Sequence, residues 1–235
     1  MFIARPDSSR VCPEIDILSE LLRLDDRHLV ELGCGRAELT RMIATGGPGR
    51  SVLATEVDAT QHAINLQIHD LPNVTFALAG AQEIPAADAS ADAVFMFKSL
   101  HHVPLDQLDQ ALSEIRRVLK PQGLAYLSEP VFAGEFNEII RLFHDEQQVR
   151  QAAFDAVRRA VESGSLQLVQ QEFFLTPLRF ADFAEFERKV LGVTHTQHSL
   201  SPEIHAEVRR RFEQHLQPGG AVFYTPMRVD LLQKA

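Results

Sequence analysis

Short apolar runs and amphipathic segments alternate along the first 130 residues of the chain. The apolar runs lie near residues 30, 53, 76, 94 and 126, and each has the length of a buried strand. Between them, apolar residues recur at helical spacing, as in the stripe of Leu108, Leu112, Ile115 and Leu119. This alternation predicts an α/β fold with a doubly wound parallel sheet, joined by right-handed crossovers.

The rhythm changes after Pro130. The pattern predicts one or two helices over 135–162, a strand over 166–175, a helix around 181–191 and a closing strand after Gly219. The sequence Ser201-Pro202 is typical of a helix start, because serine can cap and proline suits the first turn. These later elements favour antiparallel pairing at one edge of the sheet.

The length of 235 residues favours one domain with elaborations. We predict a single domain over 1–235, an N-terminal helical segment over 1–28 and helical cap insertions over 131–164 and 194–218. The caps would cover a cleft and select its ligand.

The stretch "HLVELGCGRAELT" (28–40) joins a predicted strand to a predicted helix through two glycines. Gly33 and Gly35 allow a turn in which a ligand approaches the backbone, and the helix start offers free N–H groups. Glu31 lies in the apolar run, where an unpaired charge is costly unless it serves a ligand. The pattern therefore predicts a ligand site.

Composition narrows the class of protein only modestly. The formal net charge is −9, from 23 basic and 32 acidic residues, which disfavours a nucleic-acid partner. The two cysteines, Cys12 and Cys34, are too few for a disulfide framework. No stretch has the length of a membrane span or the apolar core of a signal peptide, so we expect a cytoplasmic protein without a membrane partner.

Four motifs in order resemble the class I S-adenosylmethionine-dependent methyltransferases. "VELGCGRAE" is similar to the first motif of that family, and "VLATEVD" to its second strand with a terminal acid. "GAQEIPAADASADAVFMFKSLHHV" resembles its loop and fourth strand, and "LSEIRRVLKPQGLAYLSEP" its helix and fifth strand. The resemblance implies a Rossmann-like methyltransferase fold, a mostly parallel seven-stranded sheet with an antiparallel edge strand.

The same resemblance implies S-adenosyl-L-methionine as cofactor and assigns the residues that bind it. Glu31 is expected to attract the ammonium group, and Asp58, taken as the end of the second strand, to bind the ribose hydroxyls. The alternative for Asp58 is a helix cap. The full expected cofactor set is Glu31, Gly33, Cys34, Gly35, Asp58, Ala81, Gln82 and Lys98, with Ala81 and Gln82 beside the adenine.

Three residues are candidates for catalysis. His101 and His102 follow the fourth strand, and either could remove a proton from an attacking hydroxyl or amine. Glu129 ends the fifth strand and points toward the same cleft. The alternative is that these side chains make ordinary hydrogen bonds, salt bridges or a helix cap.

No metal site is predicted. His195 and His198 have a spacing that suits a metal on a helix, but no third ligand is evident in the sequence. The stretch "FHDE" (143–146) is interpreted as an exposed helix turn.

The sequence thus predicts methyl transfer to an O, N or C atom of a small molecule, with a homodimer as a possible assembly. A non-catalytic binding module stays open. A nicotinamide-dependent oxidoreductase is less consistent, because Glu38 would place a charge against a pyrophosphate.

Overall fold

The computed structural model describes residues 1–192 and 200–234. The helices are α1 (Glu14–Leu21), α2 (Glu38–Thr45), α3 (Ala59–Asn65), α4 (Leu108–Val118), α5 (Glu135–Ile140), α6 (Gln147–Glu162), α7 (Phe183–Phe186) and α8 (Pro202–Glu213). The strands are β1 (His28–Leu32), β2 (Ser51–Glu56), β3 (Val74–Leu78), β4 (Ala91–Phe97), β5 (Leu119–Pro130), β6 (Gln167–Phe180), β7 (Leu216–Gln217) and β8 (Gly220–Gln233). Two 3-10 turns, Leu100–His102 and Leu105–Gln107, lie between β4 and α4, and a π-helical segment, Glu187–Leu191, follows α7.

The strands form one sheet in the order β3-β2-β1-β4-β5-β8-β6, with the short β7 paired to β8. Strands β1 to β5 are parallel to their neighbours. Strand β8 lies between β5 and β6 and is antiparallel to both. The predicted mostly parallel sheet with antiparallel pairing at one edge is confirmed.

Each face of the sheet has its own apolar core, because the crossovers wind helices onto both faces. One core joins α4 and α6 to the sheet through residues such as Ile115 and Val157. The other joins α1 and α2 to the opposite face through residues such as Leu18 and Ile43. Helix α6 therefore belongs to the main layers, and only the first part of the predicted 131–164 insertion contributes to the cap.

The cap has a third core of its own. Strands β6 and β8 are each 14 residues long and continue as a two-stranded ribbon past the rest of the sheet. Helices α5, α7 and α8 pack on this ribbon through phenylalanines whose ring centroids lie 5.2–6.3 Å apart, within the usual range for aromatic pairs. Residues 194–199 of the second predicted cap insertion lie outside the described residues, and the rest of it contains α8.

Candidate active site

The glycine loop lies where β1 ends and α2 begins, as predicted. Gly33 has φ +75°, and a Cβ there would lie 2.8 Å from the Cβ of Ser99. Ser99 is held in place because its hydroxyl donates to the carbonyl of Leu32 at 2.8 Å. The sequence needs glycine at 33 because the loop after β4 presses against it.

Hydrogen bonds to β2 and α3 hold the glycine loop in place. The N–H groups of Gly33 and Cys34 donate to the carbonyl of Thr55 at 2.9 and 2.8 Å. The buried amide of Asn65 donates to the carbonyl of Gly35 at 2.8 Å. Burial raises the pKa of the Cys34 thiol to about 12, so this residue contributes backbone and shape, and no thiolate.

Glu31 is the buried acid of this region. Its side chain is enclosed beneath the loop, and its Oε2 has no hydrogen-bond partner among the described residues. Burial raises the pKa of Glu31 to about 7. A buried carboxylate oxygen without a partner is costly, and it suits a cationic ligand group at this position.

The acid at the carboxyl end of β2 is Glu56, and the prediction that Asp58 ends this strand is wrong. Asp58 caps α3, since its carboxylate accepts from the N–H of Thr60 at 2.9 Å. Glu56 accepts from the N–H of Gly35 at 2.8 Å through one oxygen, and from the two following backbone N–H groups through the other. The sequence signal was present, because Glu56 is the last residue of the strand-like run and Asp58 stands directly before a helix.

The remaining predicted cofactor residues lie at the same edge of the sheet. Ala81 and Gln82 follow β3, and the carbonyl of Gln82 is held by the side chain of Gln110 at 2.9 Å. Lys98 follows β4 with φ +55°, and its N–H donates to the carbonyl of Ser128 at 2.7 Å. The edge is the one at which open α/β sheets bind ligands.

A cavity of about 400 Å³ adjoins this region beyond the ends of β4 and β5. Lys98, His101 and His102, which follow β4, are among the residues that line it. The apolar wall comes from α5, the following turn, the π-helical segment and the β6–β8 ribbon. The residues of this wall are Phe136, Ile140, Phe143, Leu178, Val190 and Met227.

The structure brings the three predicted catalytic residues together. His101 is buried, and its Nδ1 is hydrogen-bonded to Oε2 of Glu129. The other oxygen of Glu129 accepts from the N–H of Leu100 at 2.9 Å. His102 is exposed to the cavity, and its ring centroid lies 4.1 Å from that of His101.

Sequence reasoning missed Glu146. The interpretation of "FHDE" as an exposed turn is wrong for this residue, which is buried. Its Oε1 lies 3.5 Å from Nε2 of His101 and 2.9 Å from Nε2 of His144. Its Oε2 accepts from Arg150 at 2.6 Å. No local signal could identify it, because its partner lies 45 positions earlier in the chain.

Neighbouring charges set the protonation states of His101 and Glu146. Burial lowers the pKa of His101, but the carboxylates of Glu129 and Glu146 offset this and raise it to about 9. Burial likewise opposes ionisation of Glu146, but His101 and Arg150 hold the pKa of its carboxyl well below the usual range. In this arrangement His101 carries a proton near neutral pH and donates hydrogen bonds, so it is not positioned as a free base.

The predicted absence of a metal site rested on His195 and His198, which lie outside the described residues. Elsewhere, one ligand atom from each of His101, His102 and Glu146 lies within 4.8 Å of the others. Among the described helices, none is long and apolar enough to cross a membrane.

The residues at the glycine loop fit S-adenosylmethionine. The buried, unpartnered oxygen of Glu31 matches an ammonium group, and Gly35, at which an added Cβ would meet no atom within 4 Å, leaves the loop backbone open to a ligand. Glu56 places a carboxylate at the adjoining strand end, where it faces the loop.

Comparison with known proteins finds similarity to methyltransferases. Residues 30–127 match the family model described as "Methyltransferase domain". The chain is 35% identical over 113 residues to a 27-O-demethylrifamycin SV methyltransferase of Amycolatopsis mediterranei, covering 46% of this chain and 40% of that protein. It is 31% identical over 142 residues to the O-methyltransferase rstn1 of Aspergillus nomiae, covering 57% and 61%. The chain thus spans less than two thirds of these curated relatives.

Solved structures confirm the fold. The YcgJ protein of Bacillus subtilis superposes with a TM-score of 0.65 at 14% identity, covering 94% of this chain and 97% of that one. At this identity the likeness concerns the fold alone. Residues 30–127 thus match a methyltransferase domain, the fold is that of Rossmann-like methyltransferases, and the residues of the glycine loop fit S-adenosylmethionine.

Proposed function

We propose that this protein transfers the methyl group of S-adenosylmethionine to an O, N or C atom of a small molecule, with a hydroxyl oxygen favoured. The observation that carries the proposal is that the glycine loop and the cavity lie next to each other at one edge of the sheet. The glycine loop and the lined cavity meet through Ser99, which contacts Leu32 on one side and precedes the two histidines on the other. The two curated relatives described above are both named as O-methyltransferases or as acting on an O-demethylated compound, which supports oxygen as acceptor.

In this proposal, different residues bind different parts of the cofactor. Glu31 attracts the ammonium group, and the backbone of Gly33, Cys34 and Gly35 faces the methionine portion. Glu56 takes the ribose hydroxyls in place of Asp58, because it stands at the strand end and Asp58 is engaged at the start of α3. When bound, the sulfonium supplies a methyl group that a nucleophile can attack in line.

Three further residues complete the proposed cofactor site. Ala81 and Gln82 lie beside the adenine, since they follow the carboxyl end of β3. Lys98 borders both sites, because it follows β4 and lines the cavity.

The cavity supports a small acceptor. Its volume of about 400 Å³ lies within the range of small-molecule sites, roughly 300–1,000 Å³. An apolar wall and a polar end, His102 with Lys98, would orient a largely apolar molecule with one polar group toward the methyl donor. A nucleic acid is disfavoured by the net charge of −9. A homodimer is the assembly to test by sedimentation.

The predicted catalytic residues take different roles here. We assign His102 to contact with the acceptor, because it is exposed to the cavity. His101 is buried and bound to Glu129, so both act as positioning residues that hold the loop bearing His102. Catalysis then rests mainly on proximity and orientation.

A two-step experiment tests the proposal. Thermal shift should show stabilisation by S-adenosylhomocysteine and none by NAD. Methyl-labelled cofactor incubated with a small-molecule extract should transfer label to an organic acceptor, and a Gly33→Ala variant should not. Tight cofactor binding without transfer to any acceptor would instead establish a non-catalytic binding module.

A further inference from the structure

We propose that His101, His102 and Glu146 bind a divalent transition-metal ion at the polar end of the cavity, with His144 as a fourth ligand. The ligand atoms of the first three lie within 4.8 Å of one another. Nε2 of His144 lies 2.9 Å from Oε1 of Glu146, the same oxygen that lies 3.5 Å from Nε2 of His101. Ligand atoms around an ion bound at about 2.0–2.2 Å stand roughly 3–4 Å apart, so small side-chain rotations suffice.

The surroundings of His101 are those of a metal-binding imidazole. Glu129 holds its Nδ1, which leaves Nε2 toward Glu146 and the cavity. A carboxylate on the far nitrogen fixes the ring and its tautomer in most metal-binding histidines. Glu129 is fixed in turn by the N–H of Leu100 at 2.9 Å.

Glu146 is supported in the same way. Arg150 donates to Oε2 of Glu146 through two nitrogens, at 2.6 and 3.1 Å, which leaves Oε1 directed at the histidines. Arg150 also donates to Oδ1 of Asn137 at 3.1 Å, so the orienting group is anchored to α5. Both an imidazole and a carboxylate ligand thus have the outer-shell partner that orients it.

The competing explanation is a metal-free ion-pair network in which a protonated His101 lies between two carboxylates. That network needs one imidazole. The structure instead places two imidazoles, His101 and His144, beside the same carboxylate oxygen of Glu146. A third imidazole, His102, lies next to His101 at the wall of the cavity. Convergence of nitrogen donors with one carboxylate favours a cation such as Zn²⁺, Co²⁺ or Fe²⁺ over Mg²⁺ or Ca²⁺.

The ion's role rests on the proposed function, while its binding does not. With these four side chains as ligands, the ion would take the acceptor hydroxyl from the cavity as a fifth ligand and lower its pKa. The O–H proton would leave to water, the oxygen lone pair would form the new C–O bond, and the C–S bond would break with its electron pair on sulfur. The products are the methyl ether, a proton and neutral S-adenosylhomocysteine.

Metal titration of the EDTA-treated full chain tests the site. Calorimetry with Zn²⁺ should show one saturable equivalent, and Co²⁺ should give the intense visible bands of a low-coordinate nitrogen–oxygen site. His102→Ala and Glu146→Gln should abolish both signals. Glu129→Gln should weaken Zn²⁺ binding about 10- to 100-fold, as expected for an outer-shell partner.

Matched controls separate this site from adventitious binding. His69→Ala and Glu162→Gln change exposed residues of the same types and should leave Zn²⁺ affinity unchanged. The double variant His195→Ala/His198→Ala should also retain it. The absence of a stoichiometric site, or binding that survives His102→Ala and Glu146→Gln, would overturn the proposal.

Two further readouts keep this inference distinct from the proposed function. Affinity for S-adenosylhomocysteine in the metal-free variants reports whether each one folds. Methyl transfer that persists in EDTA-treated protein would reject the ion's role and leave the proposed function intact. Zn²⁺ binding without any methyl transfer would reject the proposed function and leave the metal site.

Discussion

The proposed cofactor end and the proposed acceptor end of this protein are built in opposite ways. The proposed cofactor end draws Glu31, the glycines and Glu56 from within 26 consecutive positions, 31–56, and adds Ala81, Gln82 and Lys98 from the ends of the next two strands. The acceptor end joins His101, Glu129, Glu146 and the β6–β8 ribbon, from positions up to 126 apart, 101–227. Consecutive elements such as β1, α2 and β2 leave a strong local signal, whereas a contact between distant elements, such as Glu146 with His101, leaves none.

The two ends also differ in their supporting cores. The glycine loop rests on the sheet and the core around α1 and α2, while the cavity wall rests on the phenylalanine core of the cap. We therefore expect substitutions to separate cofactor binding from cap stability. Four predictions, from the largest effect to the smallest, test how far this separation holds.

Phe186→Ala should have the largest effect. Phe186 is fully buried in the cap, with ring centroids of Phe212 and Phe180 at 5.2 and 5.5 Å. Truncation should lower the free energy of unfolding by about 3–5 kcal/mol, measured by urea denaturation. S-adenosylhomocysteine affinity should change less than about threefold, and Phe2→Ala, which is exposed, should change neither. A large loss of cofactor affinity would show that the two ends are not separable.

The titration of Glu31 should make the free energy of unfolding depend on pH. Its folded pKa of about 7 exceeds the ordinary 4.5, so the native state keeps a proton that the unfolded chain releases between these values. Stability should therefore fall as pH rises from 4.5 to 7, by on the order of 3 kcal/mol, and then level off with respect to this group.

Denaturation at several pH values measures that slope. Glu31→Gln should flatten it, since the amide does not titrate, and Glu38→Gln, an exposed change on α2, should leave it as it is. An unchanged slope in Glu31→Gln would place the titration elsewhere. S-adenosylhomocysteine should bind Glu31→Gln more weakly than the unmodified chain at pH 8, because the anionic partner of its ammonium group is gone.

Glu56→Ala should weaken S-adenosylhomocysteine binding by about 10- to 100-fold, the range expected for hydrogen bonds to a charged group. The variant loses both the proposed ribose contact and the acceptor for Gly35 N–H. Calorimetry checks the affinity, and Glu56→Asp, which keeps the charge on a shorter side chain, should recover part of it. Full affinity in Glu56→Ala would return the ribose contact to another residue.

Asp58→Ala should have the smallest effect. Loss of the cap on α3 should lower the free energy of unfolding by about 1 kcal/mol, while cofactor affinity stays within about threefold. Asp58→Asn retains a capping side chain and should lie close to the unmodified protein. A loss of affinity in Asp58→Ala that exceeds that of Glu56→Ala would reverse the assignment of these two acids.

The sequence by itself determined the order of strands and helices, the parallel sheet, the glycine loop and the positions of Glu31, His101, His102 and Glu129. The elements and the glycine loop follow from hydrophobic period, glycine spacing and chain direction, all of which act over a few neighbouring residues, whereas the roles of the site residues came from their place in motifs that resemble a known family. It misplaced the end of β2 by two residues, because Val57 and Asp58 continue the apolar–polar alternation after the last strand pairing, Glu56 with Leu78.

Only the tertiary structure decided that Glu146 is buried against His101, that α6 covers the main sheet, and that the β6–β8 ribbon carries a separate cap core. Glu146 can be buried because His101 and Arg150 offset the cost of removing its carboxylate from water. Whether they do so depends on which elements pack together in space. Ligand convergence at the cavity has the same origin: it is a property of packing between segments far apart in the chain.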